Sequence, residues 1–429
     1  MGTSTDGPTI RRIAALANLT RESPRKNELS WAALTGITVF LVTFVRDPSA
    51  WRTLWAEDGK VFLAGAVEKG FGSYFHFDGG YLHFDAQTGA LIASIFPLSI
   101  APVVIATYAV AITSICGATV EAFSGAYIEA RWIRVGLGLC FGLLPAIRFE
   151  SIANITNLQV FLVPTAFWVL LVIPRTKAGR VMSVVLLVAT AASTIVGFLL
   201  FPLALLRLLN RRNRLPAAAF LATQSLHGIV ILIARPSRHL VTGTPPSSVA
   251  SHFLYDVVAS QFFGGQFDDL QHKHLTVLVI GVVVTASVVL LLVNRPYGAR
   301  DQLIVAVGAL VLGCVSYLSE ALTDGPTARY AALAAFFILF GVGVVADVAS
   351  RLKVARPIAA VVALAVVLSW GFSFPVSSYR DTGPRWSNAY ADAQRACHGT
   401  TKLVQVPILP ISWGGVPAWS MTLPCSAIH

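Results

Sequence analysis

Apolar runs of about 17 to 25 residues recur from one end of this chain to the other, and each is long enough to cross roughly 30 Å of hydrocarbon as a helix. No other feature restricts the fold as severely, because a backbone inside a bilayer must satisfy its own hydrogen bonds. The composition agrees: 55% of the 429 residues are hydrophobic and 12% are charged, with a mean hydropathy of +0.70. A soluble domain does not need so apolar a chain. The expected fold is therefore an all-α polytopic membrane protein.

Segmentation gives about eleven transmembrane helices, near 31–46, 99–122, 132–147, 157–174, 181–194, 195–210, 216–234, 274–294, 302–320, 330–350 and 357–374. The short loops "EARWIR", "RTKAGR", "RLLNRRNR", "NRPYGAR" and "RLKVAR" are basic and nearly free of acids. Such loops collect on the cytoplasmic side. The alternation then closes if 86–98 is not a full crossing but a juxtamembrane or re-entrant helix ending at Pro97. Residues 1–30 form a cytoplasmic arm, 31–374 the transmembrane domain, and 375–429 a small extracytoplasmic tail.

The net charge of +11 reads as this topology, not as a nucleic-acid surface. Cys116, Cys140 and Cys314 fall inside apolar runs and behave as small buried hydrophobes. Cys397 and Cys425 bracket a tail whose Val, Ile and Leu alternate between Pro and Gly, the pattern of short strands and turns. They lie on the side where disulfides persist, and both a bridge and two free thiols are compatible with the spacing.

Two acids stand side by side in "WRTLWAEDGKVFLAG", Glu57 and Asp58, just beyond the first span. At the outer interface a carboxylate can remain charged and act as a base. The apolar spacing that follows, with Lys60, Glu68 and Lys69 on the other side, reads as an interfacial amphipathic helix capped by the pair. The same loop holds "HFDGGYLHFD", in which Asp78 and His83 could meet a sugar hydroxyl and the two His and two Asp could take a divalent metal. A polar turn with Gly79 and Gly80 explains the repeat as well.

In the next outer turn, "IRFESIANITNLQ", Arg148, Glu150, Asn154, Asn157 and Gln159 crowd the mouth of a span. Amides and carboxylates in that position suit a carbohydrate, which needs paired donors and acceptors, although Asn154 or Asn157 also serves as a helix cap. Arg329 at the outer end of another span could reach a lipid phosphate, with Arg235 and Arg238 as competitors. Asp268 and Asp269 form the rival acidic pair.

An acidic motif in the first long outer loop, juxtamembrane helices and this helix count resemble the GT-C class of membrane glycosyltransferases, across the architecture of the first ~375 residues. More locally, "WAEDGKVFL" with "GGYLH", "NITNLQVFL" and "VPILPISW" resemble bacterial membrane proteins of surface-polysaccharide contexts, from which "YLHFDAQTG" departs after the His.

The resemblance implies sugar transfer from a polyprenyl-phosphate-linked donor to a glycan or glycolipid acceptor, on the outer face of a bacterial plasma membrane. It implies Asp58 as the catalytic base, with Glu57 second. Membrane lipids are the other expected partners, and nucleic acid is not one. A divalent metal is compatible with these residues and not required by them. The competing functions are a flippase or transporter, which needs ionisable groups near mid-bilayer, and a polymerase or ligase of polyprenyl-linked glycans, which places its functional loop late in the chain.

Overall fold

The computed structural model describes residues 20–22, 29–147, 150–210, 214–234, 245–263, 299–324, 331–352, 356–374, 376, 378–398, 402–411 and 417–428. It is predominantly helical. The principal helices, in chain order, are α1 (Leu29–Arg46), α2 (Ala64–Lys69), α3 (Phe84–Ile95), α4 (Ala101–Ser124), α5 (Arg131–Leu143), α6 (Gln159–Leu171) and α7 (Lys177–Ser193). They continue with α8 (Phe201–Leu209), α9 (Leu215–Ala234), α10 (Pro246–His252), α11 (Arg300–Asp324), α12 (Ala331–Ser350), α13 (Arg356–Phe372) and α14 (Trp386–Cys397).

Among the described residues, five helical stretches are long and apolar enough to cross a membrane: Leu29–Arg46, Leu98–Ser124, Leu215–Ala234, Arg300–Leu322 and Ala331–Ser350. Every expected span within the described residues coincides with a helix, but α5, α6 and α8 are only 13, 13 and 9 residues long. The expected span 274–294 lies outside the described residues. The segment taken as a partial crossing is α3, a 12-residue helix that stops before Pro97. The break expected between 181–194 and 195–210 falls at Thr194, whose extended backbone (φ −153°, ψ 140°) ends α7 and whose hydroxyl accepts from Val196 N.

Two helices form the centre. Every residue of α12 from Ala331 to Gly341 is buried, as is every residue of α6 from Phe161 to Leu171. A helix apolar all round belongs inside a bundle. Their rings interlock: Phe161 meets Phe336 edge-on at 6.1 Å, and Phe167 meets Phe337 edge-on at 5.7 Å. Peripheral α1, α9 and α13 leave large apolar side chains exposed, among them Ile37 at 58% and Ile233 at 76%. Exposed apolar residues on membrane-length helices form the lipid-facing belt.

Small residues set the closest helix approaches, as is usual where lipid offers apolar chains no hydrophobic gain. A Cβ on Gly117 would sit 2.7 Å from the Gly138 carbonyl, and one on Gly138 would sit 2.8 Å from the Gly117 carbonyl. This seam holds α4 against α5, with α1 beside both. Trp31 at the start of α1 lies beside Arg131 at the start of α5, while Arg46 at its end donates to Gly142 O (2.9 Å) and Leu144 O (3.2 Å). The two helices therefore run in parallel, from a basic end to the end where the first loop begins.

At the basic end, β1 (Arg21–Glu22) pairs in parallel with β2 (Val172–Ile173). Arg21 bridges to Asp301 and Arg175 to Glu22, each at 3.1 Å. At the other end the tail carries α14 and an antiparallel hairpin, β3 (Leu403–Ile411) with β4 (Pro417–Pro424). Cys397 and Cys425 are bridged, and of the free cysteines Cys116 and Cys140 are buried as expected, whereas Cys314 is exposed on the outside of α11.

Candidate functional site

The tail closes over the first loop. Leu409 N donates to Leu54 O (3.1 Å), Trp386 N to Arg52 O (2.7 Å), and the Trp386 indole to Leu98 O (2.7 Å). The chain immediately before Glu57 and Asp58 is thus fixed from the C-terminal side.

Asp58 begins a π-helical turn, Asp58–Leu63, that runs into α2. Extra-wide turns of this kind are frequent at functional sites. The expected N-terminal capping does not occur, because neither acid bonds the start of its own helix; the Glu57 side chain makes no capping bond. The Asp58 carboxylate instead reaches across to the turn before α6. It accepts from Thr156 N (3.0 Å) and Thr156 Oγ1 (2.5 Å) on one oxygen, and from Ile155 N (3.3 Å) on the other. Only 2% of Asp58 is exposed. Burial pushes its carboxyl up to about 6, opposed by the Thr156 bonds, Arg380 and Ile155. Glu57 stays half-buried.

Arg380 is the residue that sequence reasoning missed. It is 2% exposed and lies among carboxylates from three segments: Asp47, Asp58 and Glu150 all act on its charge. Its Nε stands 3.3 Å from Asp47 Oδ2, its other arm donates to Ile152 O at 3.0 Å, and its guanidinium lies 5.2 Å from the Trp55 ring centroid. Burial lowers its pKa and raises that of Asp47, each partly restored by the other. Asp381 beside it accepts from the Ser49 hydroxyl. The only signal was an Arg-Asp pair shortly after the last apolar run.

The turn that holds Glu150 meets the first loop through Asp58, and Glu150 is close enough to Arg380 of the tail to act on its charge. Asn154 is fully buried and its Oδ1 accepts from Asn157 N (3.2 Å), while the Asn157 amide donates to Glu150 O (2.7 Å). The two amides therefore shape the turn, in which Ala153 takes a left-handed φ of 51°. Gln159 opens α6 and is half-buried. Asn154 caps this turn and not a helix, since α6 has no side-chain cap.

The repeat "HFDGGYLHFD" is spread over a short turn and the start of α3. His76 is exposed and His83 is 6% exposed. Asp78 belongs to a short turn with Gly79 (φ 59°) and Gly80 (φ 80°). Among the described residues no three His, Cys, Asp or Glu side chains cluster as metal ligands.

The second half of the repeat is instead an anchor. Asp85 accepts from the Ser193 hydroxyl (2.7 Å), which in turn accepts from Asp85 N (2.9 Å). Burial pushes the Asp85 carboxyl up to about 6. Next to it, His227 Nδ1 lies 2.8 Å from Ala191 O and its Nε2 accepts from Leu82 N at 3.1 Å. A carbonyl can only accept and an amide N–H can only donate, so the ring is the neutral tautomer protonated on Nδ1. His83 packs between Tyr81 (4.1 Å) and Phe62 (5.2 Å).

Arg148, Arg329, Arg235, Arg238, Asp268 and Asp269 lie outside the described residues. What the described part provides is a carboxylate pair with one partner locked and the other half-exposed, walled by the second turn and the tail, and set on a buried cation. No protein-family model matches this chain, and no curated protein matches it either.

Proposed function

We propose that this chain is a membrane glycosyltransferase that moves a sugar from a polyprenyl-phosphate-linked donor to a cell-envelope glycan or lipid acceptor on the extracytoplasmic side. The reading takes the short apolar helices as completing an eleven-span bundle, with the basic end in the cytoplasm. The observation that carries it is the convergence of the first loop, the second outer turn and the tail around Asp58 and Arg380. A chain that needed only to span a membrane would not gather three carboxylates and a buried arginine at one end of its bundle. Such groups are costly to bury and suit a site that handles charge.

Displacing a glycosyl phosphate requires a base for the acceptor hydroxyl and positive charge for the leaving phosphate. Asp58 has both oxygens engaged and is sealed from solvent, so its task is to tie the acidic motif to the second turn. The base is Glu57, half-buried beside it. Arg380 is equally sealed and holds the wall. Phosphate stabilisation falls to cations at the same face, with Arg52 and Lys60 exposed on the first loop and Arg148 and Arg329 as the sequence candidates.

Transfer of radiolabelled sugar from polyprenyl-phosphate donors tests the reading, using membranes that express wild type, Glu57→Gln or Asp268→Asn. Transfer by wild type and Asp268→Asn, lost in Glu57→Gln, is the expected pattern. Loss only in Asp268→Asn moves the chemistry to the later loop, and no transfer from any donor rejects the activity.

A further inference from the structure

A groove of about 950 Å³ runs along α5, between α1 and α13. Its volume is at the upper end of the ~300–1,000 Å³ common for small-molecule sites. Trp31, Arg131 and Trp132 line one end, and Leu143, Trp370 and Phe374 line the other. Along the 13 residues of α5 that is a length of about 20 Å. Its lining residues Trp132 on α5 and Val367 on α13 are 53% and 61% exposed, so the groove is open along the side of the bundle. On a bundle whose outer belt is apolar, a side opening faces lipid.

We propose that this groove binds one anionic phospholipid, with its phosphate on the Arg131 guanidinium and an acyl chain laid along α5. The polarity of the lining fixes the direction. Arg131 is the one ionisable side chain among the described lining residues, while Arg46, at the Leu143 and Phe374 end, is 4% exposed and directs its donors to backbone carbonyls. A phosphate therefore has a partner at one end only. The Arg131 guanidinium is held over the Trp31 ring at 5.4 Å, which orders it at the mouth of the groove. Trp31 and Trp132 supply the amphipathic rings that settle at headgroup level. Basic pockets between helices on the cytoplasmic side recognise headgroups in this way.

The same polarity distinguishes this lipid from the sugar donor. Arg46, at the far end of α1 from Trp31, donates to Gly142 and Phe374 carbonyls, and Asp47 follows it into the Arg380 cluster. The headgroup on Arg131 thus sits at the end of the bundle remote from Glu57 and Asp58. The inference stands independently of glycosyl transfer.

Gly136 provides the test. A Cβ built on it meets nothing within 4 Å, so a large side chain there extends into the groove without striking the core. Purified full-length wild type, Arg131→Gln and Gly136→Phe are incubated in nonionic detergent with phosphatidylglycerol or phosphatidylcholine. Retained lipids are then counted by native mass spectrometry.

Wild type is expected to keep one phosphatidylglycerol in preference to phosphatidylcholine by about five-fold, the contribution of a single basic group near a headgroup. Arg131→Gln brings the two lipids to parity, and Gly136→Phe loses both. An unchanged preference in Arg131→Gln, full retention in Gly136→Phe, or displacement of the lipid by a polyprenyl phosphate would each overturn the assignment. Gly136→Phe reads the groove even if the arginine variant does not fold.

Discussion

Replacing Arg380 with Met removes the buried cation on which Asp47, Asp58 and Glu150 act, and the cost can be worked from its partners. The variant loses the ion pair with Asp47 at 3.3 Å, the bond to Ile152 O at 3.0 Å and the contact with the Trp55 ring. Removing one partner of a buried pair costs ~3–5 kcal/mol, because the other charge is left without compensation. Here two carboxyls are left, Asp47 and Asp58, both already raised by burial and both pulled back down by Arg380.

Without the arginine both rise further above their unfolded values. A carboxyl raised in the folded state carries no burden below its unfolded pKa, and the burden builds between the unfolded and folded pKa and is complete above the latter. The deficit of Arg380→Met should therefore be close to its full ~3–5 kcal/mol at pH 8 and clearly smaller at pH 5. Thermal unfolding in detergent at the two pH values, followed by tryptophan fluorescence, measures it. The double variant Asp47→Asn/Arg380→Met should recover part of the loss. Equal deficits at pH 5 and pH 8, or a loss below ~1 kcal/mol, would refute the assignment of Arg380 as the cluster's counter-charge.

Other substitutions separate the parts of the account. Asp58→Asn puts an amide donor against the Ile155 N–H and should cost ~1–3 kcal/mol of stability; unchanged unfolding temperatures would show that the bond between the loops is not formed. Gly138→Leu forces a side chain onto the Gly117 carbonyl and should destabilise by ~1–3 kcal/mol, whereas Gly136→Leu, two residues away and facing open space, should be near neutral. Equal effects of the two would contradict the packed seam. Cys397→Ser with Cys425→Ser should loosen the tail by ~2–4 kcal/mol and expose the chain near Arg380 to protease; an unaltered digestion pattern would mean that the tail is held by its other contacts alone.

The sequence made the helices legible because hydrocarbon thickness leaves little freedom: apolar runs near 31–46, 99–122 and 330–350 became α1, α4 and α12 with ends shifted by a few residues. The stop of α3 before Pro97 was equally readable from ring chemistry. The site was legible only in its pieces. That Glu57, Asp58 and Glu150 belong to one face followed from loop position, but that Asp58 would turn away from its own helix to bond Ile155 and Thr156 did not, because no local pattern encodes a partner 97 residues distant. Arg380 was invisible for the same reason. An Arg-Asp pair after the last span looks like interfacial anchoring, and the burial of Arg380 depends on the tail folding back onto Trp55, a contact between distant segments with no periodicity to reveal it. His227 lies inside the apolar run 216–234, and nothing in that run encodes the two bonds by which it pins the first loop to α7 and α9.

The most direct test of the central claim is the initial rate of sugar transfer from a polyprenyl-phosphate donor by purified protein in proteoliposomes, compared for wild type, Glu57→Gln and Asp58→Asn. If Glu57 is the base and Asp58 the clasp, Glu57→Gln loses ~10²–10⁴ in kcat with its unfolding temperature intact. Asp58→Asn loses stability first and keeps measurable turnover at low temperature. Wild-type turnover in Glu57→Gln, or abolished turnover with unchanged stability in Asp58→Asn, would contradict the account.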